Sequence, residues 1–125
     1  VDDYAHNPQK VAAALHAART AVTKTRGRVV AVFQPHRYTR TKFLFEDFCQ
    51  SFGDCDVLLV TDIYSAGESP ILGLRVEHLM EGITSNSPNV EAYHTPKESD
   101  VLRRLSLVTR PGDLVITLGA GDVGR

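Results

Sequence analysis

The sequence predicts an α/β domain of Rossmann-like, three-layer α/β/α architecture with a mostly parallel sheet. Two patterns predict it: short, continuous β-rich runs at 29–33, 57–60 and 114–118, and amphipathic helical stretches that alternate with them along the chain. Apolar runs without polar alternation suit strands covered on both faces, and strands alternating with helices make a parallel sheet. Size is the third observation. A chain of 125 residues that is 42% hydrophobic can fill one core and not two.

Taken in order, the first residues read as the tail of a strand. Asn7 and Pro8 then open a helix, with Asn as cap and Pro at the first helical position, and Val11, Leu15, Ala18 and Val22 recur at helical spacing over 8–25 until Gly27. After strand 29–33 comes a helix over about 40–52 that turns Leu44, Phe45, Phe48, Cys49 and Phe52 inward, and then strand 57–60. Residues 62–74, with Gly67, Pro70 and Gly73, read as a loop longer than the usual connection, and long loops on rigid scaffolds often carry function. Val76, Leu79, Met80 and Ile83 mark a short helix, 84–89 a polar loop, and 90–93 a weak strand. Thr95-Pro96-Lys97-Glu98 reads as a capping box with Pro at the first helical position, opening a helix that carries Val101, Leu102, Leu105 and Val108. Pro111 and Gly112 close it before the last strand.

Composition excludes several classes. Fourteen Lys and Arg balance 15 Asp and Glu without a basic run, so neither nucleic acid nor an acidic membrane is an expected partner. No apolar run approaches the roughly 18 residues of a membrane span, and a soluble, cytoplasmic protein is expected. Cys49 and Cys55 lack the further ligands of a zinc set, so reduced thiols and no metal site are expected, with Cys49 buried. The start on Val1 and the stop after a Gly-rich turn read as an excised domain spanning 1–125.

In a parallel sheet the loops after the strands share one edge, where such folds bind ligands. Those loops carry Asp3, Tyr4, His6 and Asn7; then Pro35-His36-Arg37-Tyr38-Thr39-Arg40-Thr41; then 62–67; and last 119–124. Arg37 and Arg40, three apart at a helix start, can point the same way and grip an anion by forked hydrogen bonds. Asp3 and Asn7 can bond sugar hydroxyls or a nucleobase, and Tyr4 and His6 offer a ring face and a switchable donor. Each also has a plain reading: a solvated basic helix start for the arginines, a cap for Asn7, a loop histidine for His6. His16, His78 and His94 read as structural. Gly119-Ala120-Gly121-Asp122-Val123-Gly124 matches a dinucleotide fingerprint in letters, but the helix, second strand and distant acid it needs do not follow, so a tight turn is the preferred reading.

Asp2-Asp3-Tyr4-Ala5-His6-Asn7-Pro8, the 35–41 motif, Asp62-Ile63-Tyr64-Ser65-Ala66-Gly67-Glu68 and Leu118-Gly119-Ala120-Gly121-Asp122 together resemble the C-terminal domain of the Mur ligases, over essentially the whole chain. The second and third motifs resemble the branch that adds L-alanine to UDP-N-acetylmuramate. Ala5 and Asn7 stand where that branch usually has Gly and His, a variant of its sister ligases. The resemblance implies an ATP- and Mg2+-dependent amide-forming ligase of peptidoglycan precursor synthesis. ATP phosphorylates the lactyl carboxylate, and alanine's amine displaces phosphate from the acyl phosphate. It further implies that His36, Arg37 and Arg40, with Tyr4 and His6, surround alanine and the acyl phosphate, while Asp3 and Asn7 face the ATP ribose and base. The phosphate loop, the Mg2+ ligands and the UDP site are implied to lie in separate central and N-terminal domains. No G-x-x-x-x-G-K-[ST] occurs in the chain, so no complete catalytic set is expected within it. Two other classes stay open from the residues: a stand-alone anion- or nucleotide-binding module, and a self-contained nucleotide enzyme.

Overall fold

A computed structural model describes residues 2–3 as main chain, and residues 7–65, 67, 69–71 and 74–119. The described elements are β1 (Asp2–Asp3), α1 (Pro8–Thr23), β2 (Val29–Gln34), α2 (Tyr38–Phe43), α3 (Phe45–Cys49), β3 (Val57–Val60), α4 (Val76–Asn86), β4 (Glu91–His94), α5 (Glu98–Val108) and β5 (Leu114–Gly119). They form one five-stranded sheet of order β1-β5-β2-β3-β4, and every pairing is parallel. All five strands therefore end on one edge, as the alternation requires.

The two-residue period of β2 divides the core. Val29, Ala31 and Phe33 face a layer built from α1, α3 and α4, where they pack with Val11, Leu15, Phe48, Leu79 and Ile83. Phe33 sits between Phe48 and Phe52 at ring-centroid distances of 5.3 and 5.1 Å. All three rings are fully buried, and each such burial contributes roughly 1.5–3 kcal/mol. Val30 and Val32 face the opposite way, toward Val101, Leu105 and Val108 of α5. Helices thus cover both faces, as expected for a three-layer domain, although the second layer rests on α5 alone among the described helices.

Three local expectations are corrected. The helix expected over 40–52 is two short ones, because Leu44 leaves helical geometry at φ −103°, ψ 16°. Arg40 and Lys42 close α2 while Glu46 and Asp47 open α3, and each set matches the dipole of its own helix end. The polar loop expected at 84–89 begins later, since α4 continues to Asn86; Thr84 bonds the Met80 carbonyl and Asn86 the Gly82 carbonyl, so these polar side chains join the last turn. The cap of α5 is shifted too. Thr95 is buried and its N–H extends the β3–β4 pairing to the Val60 carbonyl at 2.8 Å, which leaves Lys97 at the cap with its N–H on Asp100 Oδ2 at 3.0 Å.

Both cysteines are free and buried. Burial raises both thiols, pushing Cys55 up to about 12, and the Cys55 Sγ–H donates to the Phe52 carbonyl at 3.2 Å.

Candidate functional site

The carboxyl edge is shaped first by β2 and the turn that leaves it. Gln34 ends the strand beside Gly119 of β5, and Gly119 has φ +110°. A Cβ at Gly119 would collide with the Gln34 carbonyl, so only glycine lets the two strand ends lie this close. The Gln34 side chain carries a buried acceptor, Oε1, with no donor among the described residues.

Next come His36, Arg37 and Arg40. Arg37 is exposed and occupies φ 68°, ψ 141°, a region that side-chain-bearing residues avoid. It stands at the N-cap of α2, outside helical geometry, with Arg40 three residues on in the first turns of the helix. Arg40 reaches back, placing Nη1 3.2 Å from His36 Nδ1. A guanidinium only donates, so Nδ1 is the acceptor and the neutral imidazole carries its proton on Nε2.

The loop after β3 braces this turn. The Arg37 N–H donates to the Tyr64 carbonyl at 2.7 Å, the Tyr64 N–H donates to the Pro35 carbonyl at 2.8 Å, and the two make a parallel bridge pairing His36 with Tyr64. The rings of His36 and Tyr64 stack at 5.5 Å with 26° between their planes. Sequence reasoning missed Tyr64, since no local pattern shows that a loop residue pairs with a turn 28 positions away. Nearby, His94 at the end of β4 reaches Asp62 at 2.8 Å and Glu77 at 3.5 Å, tying that loop to α4.

On the other flank, Asn7 caps α1 by accepting the Lys10 N–H on Oδ1 at 2.9 Å. It borders a groove of about 580 Å³ shared with Gln9, Leu44, Asp47, Gln50 and Ser51. Asp3 ends β1 beside Leu118, which puts its main chain at the same edge. Tyr4 and His6 lie outside the described residues, as does the Gly-rich segment after Gly119. Among the described residues no group of three His, Cys, Asp or Glu side chains is placed to hold a metal ion.

Residues 1–121 match the family described as Mur ligase, glutamate ligase domain. The chain is 47% identical over 123 residues to a UDP-N-acetylmuramate–L-alanine ligase of Sorangium cellulosum, covering 98% of this chain and 26% of that protein. It is 43% identical over 125 residues to a protein of the same name from Rubrobacter xylanophilus, covering all of this chain and 28% of that one. The chain thus spans about a quarter of the length of these relatives. A crystal structure of a murein peptide ligase from Psychrobacter arcticus superposes with a TM-score of 0.71 over 94% of this chain and 23% of its own, at 17% identity, which bears on the fold alone. With its parallel sheet, its arginine-bearing turn at the carboxyl edge and this match along nearly its whole length, the chain belongs to the Mur ligase family.

Proposed function

We propose that this chain is the substrate-closing domain of an ATP-dependent ligase that joins L-alanine to UDP-N-acetylmuramate, in the cytoplasm, for peptidoglycan precursor synthesis. The observation that carries the reading is identity of 43–47% to ligases named for that reaction, over 123 to 125 residues and so over a span that includes the turn bearing His36, Arg37 and Arg40.

In this reading ATP phosphorylates the lactyl carboxylate, and the amine of alanine attacks the acyl phosphate carbon. The tetrahedral intermediate then collapses, breaking the bond to phosphate and leaving an amide. Arg37 and Arg40 supply the charge that such a sequence needs twice, once for alanine's carboxylate and once for the phosphoryl oxygens. His36, with Nδ1 3.2 Å from Arg40 Nη1, stands at the same place. Tyr4 and His6 complete the amino-acid side. Asp3 and the Nδ2 group of Asn7, whose Oδ1 is taken by its helix, serve the nucleotide. Among the described residues no group of three His, Cys, Asp or Glu side chains is placed to hold Mg2+, and in this reading its ligands lie in the central domain together with the phosphate loop. Bringing these arginines onto the other domains by closure orients the amine only when every substrate is bound.

The test is steady-state kinetics of the full-length protein, reading ADP formed with both co-substrates present. Arg37→Ala and Arg40→Ala are each expected to lower turnover about 10²-fold or more with little change in unfolding midpoint. Unchanged kinetics in both variants would return the arginines to a role in solubility and overturn the reading.

A further inference from the structure

We propose that Tyr64 is a positioning residue for the amino-acid side of the site, acting through His36 and Arg37; this rests on the ligase reading above. Three observations converge on it. β2 and β3 stop pairing at Phe33 and Val60, yet the two chains meet once more beyond their ends, at His36 and Tyr64. The two main-chain bonds of that meeting flank His36, and one of them is made by the N–H of Arg37, the turn residue with the costly backbone. A positive φ at a side-chain-bearing residue is strained, and it persists only where the surroundings hold it.

The ring adds the second restraint. Stacked on His36 at 5.5 Å, it fixes one face of the imidazole, while Arg40 fixes the in-plane direction through Nδ1. Together they set where Nε2–H points and where the Arg37 side chain leaves the turn. Tyr64 is itself 40% exposed, so it is not placed as a core residue is. A residue whose exposed ring stacks on one candidate substrate contact and whose main-chain carbonyl holds the N–H of a second has its natural use in pre-organising them.

The experiment uses the full-length ligase, with kinetics resolved for alanine and for ATP and with unfolding midpoints recorded for every variant. Tyr64→Ala removes the ring, Tyr64→Leu fills its volume without a π face, and Tyr64→Phe keeps the face without the hydroxyl. Tyr64→Ala and Tyr64→Leu are expected to raise the alanine KM about tenfold or more while the ATP KM stays within about twofold, and Tyr64→Phe is expected to behave as the parent. Arg37→Ala and Arg40→Ala run alongside. If the arginine variants are impaired while Tyr64→Leu is not, the inference fails and the ligase reading stands; if the arginine variants keep parent kinetics, the reading fails and takes the inference with it. A Tyr64→Phe variant as impaired as Tyr64→Leu overturns the stacking account, because the hydroxyl is then the working group. A fall in turnover with every KM unchanged and a lowered midpoint marks a purely structural residue and overturns the proposal as well.

Discussion

Arg28 and Asp113 close the edge of the sheet opposite the site. Arg28 places Nε 3.1 Å and Nη2 2.8 Å from the two Asp113 oxygens, and also donates to the Val108 carbonyl at 2.7 Å. Asp113 in turn accepts the Arg110 N–H at 2.7 Å, and its side chain is only 5% exposed. The hydrogen bonds from Arg28 hold the Asp113 carboxyl below its ordinary range, against the opposing effect of burial, and the same pairing raises Arg28. Because the folded state keeps the proton off Asp113 more strongly than the unfolded chain does, the pair's contribution is present above the ordinary carboxylate pKa of about 4 and fades as the pH falls through the lower folded value. Asp113→Asn is therefore expected to cost about 2 kcal/mol in urea unfolding at pH 7, with the difference from the parent shrinking below about pH 4. A difference independent of pH would assign the loss to packing and not to charge. At this scale the sequence was partly readable. The arginines of the 35–41 turn stood out by composition, but the positive φ of Arg37, whose N–H bonds the Tyr64 carbonyl outside the turn, left no mark in it.

Among the elements, the contact of α3 with α4 passes through Gly82, which lies against Cys49. A Cβ added at Gly82 would collide with the Cys49 Sγ, so the two helices approach only because one residue lacks a side chain. Helix propensity alone would favour Gly82→Ala by roughly 1 kcal/mol, whereas overpacking a buried contact costs about 1–3 kcal/mol. The second effect wins here, because the obstructing sulfur is itself buried and has little room to turn. Gly82→Ala is expected to lower stability by about 1 kcal/mol, and combining it with Cys49→Ala should recover more than the two single effects predict. Strict additivity in that double-mutant cycle would place the cost elsewhere. Element type was legible where periodicity was strong, as in α1, β2 and β3. Boundaries were lost where a neighbour decided them. Thr95 resembles a cap locally, yet the Val60 carbonyl draws it into the sheet; the break at Leu44 was signalled by Lys42 followed by Glu46 and Asp47, a basic end before an acidic start.

For the whole molecule, parallel strands alone gathered Asp3, Asn7 and the 35–41 turn at one edge, so the grouping of these candidate residues followed from topology before any side chain was placed. Its internal order did not, because Tyr64 joins it through a pairing between loops that no periodicity encodes. The same edge explains what the chain should do by itself. Both core layers close around the sheet within these residues, so the 125-residue chain is expected to fold cooperatively without the rest of the protein. Arg37 stands exposed at the open edge, and exposed charge pairs contribute only about 0.2–1 kcal/mol each in water. Two such contacts cannot hold free alanine with useful affinity, and the G-x-x-x-x-G-K-[ST] loop that would cradle ATP phosphates is absent from the sequence. We predict that the purified chain shows a single cooperative unfolding transition, no saturable alanine binding below about 1 mM, the range where total binding energy is only about 4 kcal/mol, and no phosphate release from ATP with alanine and UDP-N-acetylmuramate present. Circular dichroism, calorimetric titration and a coupled phosphate assay read the three parts. Alanine-dependent phosphate release by this chain alone would mean that the chemistry resides in the domain itself, and that closure onto other domains is not what makes its arginines effective.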